Sequence, residues 1–225
     1  MKPFFPFYGS KYRLAKKYPA PEGLVIEPFA GSACYSTYWG VDRSVLNDAD
    51  RNITSVWEWL IGATPEEVWA LPDLSHEGDS VEGLPEGAAN LIGFWLTKGS
   101  VPVKRRGSYA ASEKWRHLFW RPAIKERIAS QVDRIRNWEV LHGDFQRVPV
   151  VSDATYFIDP PYQEAGVHYR VKFSDFPRLS EWSRSLPGRV IVCEGAGADW
   201  LPFNDLGDFK GMTNRKAPEK VWINL

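Results

Sequence analysis

Cysteine is scarce in this sequence: only Cys34 and Cys193 occur in 225 residues. Far apart and set in apolar surroundings, they cannot form a disulfide framework, and with four dispersed histidines they do not make a zinc site. Both read as buried thiols, and no metal is expected. Long apolar runs are missing as well. No uncharged stretch approaches the ~20 residues that span a membrane. The opening Met1-Lys2-Pro3-Phe4-Phe5-Pro6-Phe7 is interrupted by prolines where a signal peptide needs an apolar core. A soluble, cytoplasmic chain with no membrane partner is therefore expected. Net charge is lacking too: 28 Lys and Arg balance 28 Asp and Glu, which taken globally argues against a polyanionic partner.

What is present describes a folded protein. A chain that is 44% hydrophobic and 25% charged can bury one sizeable core, with room for a small second lobe, and is not disordered. The charge is balanced only in sum. From Trp57 to Ala89 every charged residue is acidic, whereas from Lys98 to Arg136 eleven Lys and Arg stand against three Asp and Glu, an excess of eight. Charge alone leaves open both a solvated helix face and a nucleic-acid contact.

Hydrophobic patterning organises the chain. Leu24 to Glu27 reads as a strand, Pro28-Phe29-Ala30-Gly31-Ser32 as a loop, and Ala33 to Tyr38 as a helix; Ser44 to Asp48 is a second strand. A helix from about Arg51 carries Ile53, Trp57 and Leu60 on one face. Thr64-Pro65-Glu66-Glu67 is a capping box that starts another, and a polar loop follows through Gly87. Helical spacing returns over Glu86 to Lys98 and over Arg121 to Asn137. Strand-like runs then follow at 138–142, 154–158, 189–193 and 220–224, with helical material near Arg178 to Leu186. The expected fold is α/β, a doubly wound, mostly parallel, Rossmann-like sheet formed by residues 1–59 and 137–225. An inserted, largely helical lobe is expected over 60–136.

The sharpest chemical signal is Asp159-Pro160-Pro161-Tyr162, directly after the apolar run Tyr156-Phe157-Ile158. Ligands of open α/β sheets bind beyond the carboxyl ends of strands, where this tetrapeptide would stand. Its composition suits one task. The exocyclic amine of a nucleobase is a poor nucleophile because its lone pair is delocalised into the ring. The Asp159 carboxylate and the Pro160 carbonyl could each accept one of its N–H groups and so localise the pair. The two prolines restrict the backbone, and Tyr162 offers a flat face for a base. Read without function, the same residues are a proline-rich strand exit with an aromatic lid. Gly31 is the lone glycine of the first loop, so the dinucleotide fingerprint is absent and a nicotinamide or flavin is disfavoured. Asp48 ends the second strand, where it reads equally as a ribose-binding acid or as an Asx turn.

Taken in order, these segments resemble the DNA adenine-N6 methyltransferases of the Dam type, in the alpha group of amino-methyltransferases. The resemblance rests on Phe7-Tyr8-Gly9-Ser10-Lys11, Pro28 to Ser32, Leu46-Asn47-Asp48, His142-Gly143-Asp144-Phe145 and Asp159 to Tyr162. It implies an enzyme that binds S-adenosylmethionine and needs no metal. Tyr8, Gly9 and Lys11 would then hold the methionine end, Pro28, Phe29, Ala30, Gly31 and Ser32 the cofactor loop, Asp48 the ribose, Asp144 and Phe145 the adenine. Asp159, Pro160, Pro161 and Tyr162 would be catalytic, with Asp159 also beside the cofactor. The resemblance further implies that the basic insertion is a target-recognition lobe on DNA, with contacts expected from Lys104, Arg105, Arg106, Tyr109, Lys114 and Arg116. It also suggests a monomer or weak dimer in the cytoplasm of a bacterium or phage-infected host. Cytosine-N4 methylation and a turnover-deficient DNA-binding module of the same fold stay open. Glu194 stands where the resemblance leads to a small polar residue.

Overall fold

A computed structural model describes residues 1–99, 101–164, 170–210 and 216–224. Seven strands form one sheet: β1 (Leu24–Glu27), β2 (Ser44–Asp48), β3 (Glu139–His142), β4 (Ala154–Ile158), β5 (Arg189–Gly195), β6 (Asn204–Lys210) and β7 (Lys216–Ile223). Their order is β3-β2-β1-β4-β5-β7-β6. The first five are parallel, and β7 runs antiparallel to both β5 and β6. The fold is α/β and consistent with the expected Rossmann-like class.

A parallel sheet covered on both faces needs apolar side chains in both directions along each strand, and β4 is buried throughout. Tyr156 and Ile158, with Val190 and Val192 of β5, face α7 (Phe176–Ser185) through Leu179 and Trp182. Phe157, Ile191 and Cys193 face the other way, against Tyr35 of α1 (Cys34–Trp39) and Leu14 and Tyr18 of the N-terminal segment. Phe157 and Tyr35 stack with ring centres 4.4 Å apart. Both cysteines are buried thiols, as expected.

Between β2 and β3 lie α2 (Arg51–Gly62), α3 (Pro65–Ala70), α4 (Glu86–Thr97), α5 (Ser108–Ala111) and α6 (Pro122–Val132). The capping box forms as its sequence predicts: Thr64 Oγ1 accepts from Glu67 N, and the Glu67 carboxylate accepts from Thr64 N. Helices α3 to α6 fall within segment 60–136. That segment has no core of its own, however. Val68, Leu91, Phe94, Ile124, Ile128 and Val132 share one apolar cluster with Ile53 and Trp57 of α2, Leu46 of β2 and Phe4 and Phe5. Among the described residues, no helix is long and apolar enough to cross a membrane.

Candidate active site

β2 and β3 lie to one side of β1 while β5 lies beyond β4, so the loops leaving β1 and β4 diverge and open a crevice at the carboxyl edge of the sheet. A cleft of about 380 Å³ occupies that edge, within the ~300–1,000 Å³ range of small-molecule sites. Phe29 and Gly31 reach it from β1, Asp48 and Asp50 from β2, Asp144 and Phe145 from β3, and Asp159 and Pro161 from β4. Phe7, Tyr8, Pro28, Gly99, Pro102 and Phe173 complete much of the wall. The lining is mostly apolar, with four carboxylates set into it.

The loop after β1 is braced from below. Asp48 Oδ2 accepts from Gly31 N at 3.0 Å and its Oδ1 from Asp50 N at 2.9 Å, so the Asx turn forms and the same carboxylate also reaches the cleft. Burial pushes its carboxyl up to about 6. Asn47 Nδ2 donates to the carbonyls of Pro28 at 3.0 Å and Gly143 at 3.1 Å, joining the ends of three strands. Gly31 adopts φ +47°, and a Cβ there would stand 2.8 Å from Phe7 Cδ1. Glycine is therefore required for Phe7 to close over the loop. Ala30 and Ser32 are buried behind it. Glu27 is fully enclosed, accepts from Ser36 N at 2.8 Å, and is pushed by burial up to about 7.

At the end of β4, Lys11 Nζ stands 3.2 Å from Asp159 Oδ1 in an ion pair. Burial raises the Asp159 carboxyl and the Lys11 charge opposes that rise. The Lys11 ammonium also donates to the Gly9 carbonyl at 2.8 Å and lies 4.5 Å from the centre of the Tyr162 ring. Lys11 is thus turned toward the tetrapeptide, while Tyr8 is exposed at the cleft. Pro160 is buried, and among the described residues no donor is bonded to its carbonyl.

Tyr162, expected to offer a flat face to a base, does not line this cleft. Its hydroxyl donates to Glu219 Oε2 at 2.7 Å, and its ring edge sits where a Cβ on Gly195 would be 3.0 Å away. Antiparallel pairing of β5 with β7 sets Gly195 opposite Glu219, so one register supplies both the space and the acceptor. Burial raises both Tyr162 and Glu219. Glu194 is buried as well and accepts from Gln163 N at 2.7 Å, fixing the chain just after the tetrapeptide. That bond gives a physical reason for a large acid at this position.

Asp144 is paired with Arg178 and also accepts from Gln146 N at 3.0 Å. Phe145 is buried and stacks on Phe29, with centres 5.7 Å apart, so Phe29 presents the more open ring. Two wall residues had no assigned role in the sequence reading. Asp50 accepts two hydrogen bonds from Arg170, at 2.7 and 3.0 Å, while its side chain caps α2 through Asn52 N. Asp50 was readable as a helix cap before Arg51; Arg170 and Glu219 carried no local signal.

The expected DNA-contacting residues separate. Lys104, Arg105, Tyr109, Lys114 and Arg116 are exposed, and Arg105 pairs with Glu82 at 3.3 Å. Arg106 requires correction: it is 2% exposed, and its guanidinium donates to the carbonyls of Leu74, Trp120 and Ala110. It is an internal clamp between loops, unable to face a phosphate from there. Comparison with protein-family models and with curated proteins finds no match to this chain.

Proposed function

We propose that the protein is an S-adenosylmethionine-dependent methyltransferase acting on the N6 amine of adenine in DNA. The observation that carries this reading is the position of Asp159-Pro160-Pro161-Tyr162 at the switch point of the sheet, with Asp159 on the same cleft as Phe29, Asp48, Asp144 and Phe145. The donor set suits the cofactor. Aromatic and apolar walls fit an adenine ring, Asp48 and Asp144 can accept from hydroxyl or amine groups, and buried carboxylates favour a sulfonium cation. When bound, S-adenosylmethionine would supply an electrophilic methyl group.

The chain's own residues would position the amine. Asp159 and the Pro160 carbonyl accept its two N–H groups, which favours a tetrahedral nitrogen and aims its lone pair. Adenine must leave the duplex stack for N6 to reach them. For Tyr162 to stack on that base, the Lys11 ammonium has to leave its ring. In the structure Lys11 covers Tyr162, and its charge favours the ionised, accepting form of Asp159 against the rise that burial causes.

Incubation of the purified protein with mixed-sequence DNA and methyl-labelled donor, followed by mass spectrometry of the nucleosides, tests the reading. Labelled N6-methyladenine is expected, and Asp159→Ala should abolish it while DNA binding persists. Label on cytosine N4 would change the target base. Donor and DNA binding without any transfer would instead make the chain a binding module of this fold.

A further inference from the structure

The basic residues between positions 98 and 136 are unequal once the chain is folded. Arg106 spends its donors on backbone carbonyls, Lys125 and Arg136 donate to carbonyls and pair with Asp73 and Asp133, and Arg105 faces Glu82. Lys98, Arg121 and Arg127 differ. Among the described residues none of the three is paired with a carboxylate; Lys98 and Arg127 share the Trp95 ring, and the charge of Arg121 acts on both. Lys98 ends α4, with its ammonium 4.6 Å from the centre of the Phe119 ring and 5.4 Å from that of Trp95. Arg127, on α6, lies 4.9 Å from the same Trp95 ring, with Nε and Nη2 buried and lacking an acceptor. Arg121 caps the start of α6.

Three cations gathered without a counter-charge repel one another. Aromatic faces offset that cost only in part, at about 0.5–2 kcal/mol per contact. Lys98 is pushed down to about 8, by burial first and then by Arg121 and Arg127. Arg127 is lowered by burial and by Arg121. A fold that holds uncompensated cations together is complementary to a multiply charged anion. An ammonium and a guanidinium that meet over Trp95, with a second guanidinium acting on both from the start of α6, suit the oxygens of a phosphate better than the single plane of a carboxylate.

We propose that Lys98, Arg121 and Arg127 form a phosphate-binding site for the backbone of a polynucleotide, adjoining the candidate active-site cleft. Lys98 directly precedes Gly99, which lines that cleft and accepts from Tyr8 N at 3.0 Å, so one strip of chain serves both sites. The proposal deepens the methyltransferase reading and rests on it for the choice of a polynucleotide. A bound phosphate raises the Lys98 pKa, so binding takes up protons near pH 8 and weakens above it. Arg121 and Arg127 are the charged groups that face Lys98 there.

The test uses the full chain and inorganic pyrophosphate, titrated by calorimetry at low salt, followed by duplex DNA over a range of salt. Lys98→Gln with Arg121→Gln should weaken pyrophosphate at least tenfold and reduce the salt slope for DNA by about 2, from ~0.9 per lost phosphate contact. Lys104→Gln with Arg105→Gln should change pyrophosphate affinity less than twofold. Arg127→Met, which keeps an apolar chain over Trp95, should weaken it as well. No saturable pyrophosphate binding to the wild-type chain, or equal losses in the two double variants, overturns the site. Loss of pyrophosphate with an unchanged DNA slope makes it a free-anion site and overturns the polynucleotide assignment. None of these readouts needs the methyl donor. A chain that passes them yet transfers no methyl group retains the phosphate site and loses only the enzymatic reading.

Discussion

Replacing Glu27 by glutamine should make the protein more stable at pH 8. Glu27 ends β1 and is fully buried, and burial moves its carboxyl from the ordinary 4.5 up to about 7. Below pH 4.5 the group is protonated in both the folded and the unfolded chain, and it costs nothing. As pH rises from 4.5 to 7 the unfolded chain releases the proton first, so stability falls; above 7 the loss is complete. At about 1.4 kcal/mol per pH unit, that loss is on the order of 3 kcal/mol. Glutamine does not titrate and can still accept the Ser36 N–H that Glu27 takes at 2.8 Å. Its added N–H donors need partners in a tight site, which removes part of the gain. Glu27→Gln should therefore exceed the wild type by about 1–3 kcal/mol at pH 8 and lose that advantage near pH 4.5. Urea unfolding at several pH values measures the difference, and each kcal/mol should raise Tm by roughly 2–4 °C for a chain of this size. A variant weaker than wild type by the same amount at pH 5 and pH 8 would refute the reasoning. Glu27 would then be an ionised cap that stabilises the start of α1.

Gly31→Ala combines φ +47° with a Cβ 2.8 Å from Phe7, so it should cost about 1–3 kcal/mol and weaken methyl-donor binding, both read from thermal unfolding with and without donor. Glu219→Ala leaves the Tyr162 hydroxyl without its acceptor and should lower kcat for methyl transfer about ten- to hundredfold through misplacement of the tyrosine. Glu219→Gln, which retains an acceptor, should stay near wild type, and equal losses in the two variants would remove this positioning role. Arg106→Ala strands three buried carbonyls and should destabilise the fold by about 2–5 kcal/mol. Arg105→Ala should stay within about 1 kcal/mol of wild type because its pair with Glu82 is exposed.

Strands whose two faces are both buried announce themselves as unbroken apolar runs, and for that reason β1, β2, β4 and β5 were legible in the sequence. The same logic explains the strand that was not anticipated. β6 lies at the sheet edge, and its Asn204-Asp205-Leu206-Gly207 start buries almost nothing, so no alternation marks it. Helix limits followed local chemistry where caps were present, as at Thr64 and Pro122. They drifted at the end of α6, where the last turn tightens into a short 3-10 segment over Asp133–Ile135. The inserted segment was recognised as helical from its periodicity. That it shares its core with Leu46 and Trp57 depends on which helix faces meet, and periodicity does not encode that.

The candidate site shows the same division between what a motif contains and what it touches. Pro28, Phe29, Gly31, Asp48, Asp144, Phe145, Asp159 and Pro161, spread over about 465 Å of extended chain from first to last at about 3.5 Å per residue, do gather on one cleft. Each follows a strand end, so a parallel sheet brings them together without further instruction. Lys11, Glu194 and Glu219 are different: from the N-terminal segment, β5 and β7 they hold Asp159, Gln163 just after the tetrapeptide, and Tyr162, through an ion pair and two hydrogen bonds. Buried carboxylates at this density repel, and each is raised by burial. Lys11 is the buried cation that offsets the repulsion at both Asp159 and Glu219. Moving Lys11 off the Tyr162 ring would therefore release the aromatic face and raise the proton affinity of Asp159 at the same moment. An arriving cationic donor can replace that charge, whereas a neutral base cannot. On the proposed methyltransferase reading, cofactor binding should accordingly precede productive stacking of the base on Tyr162.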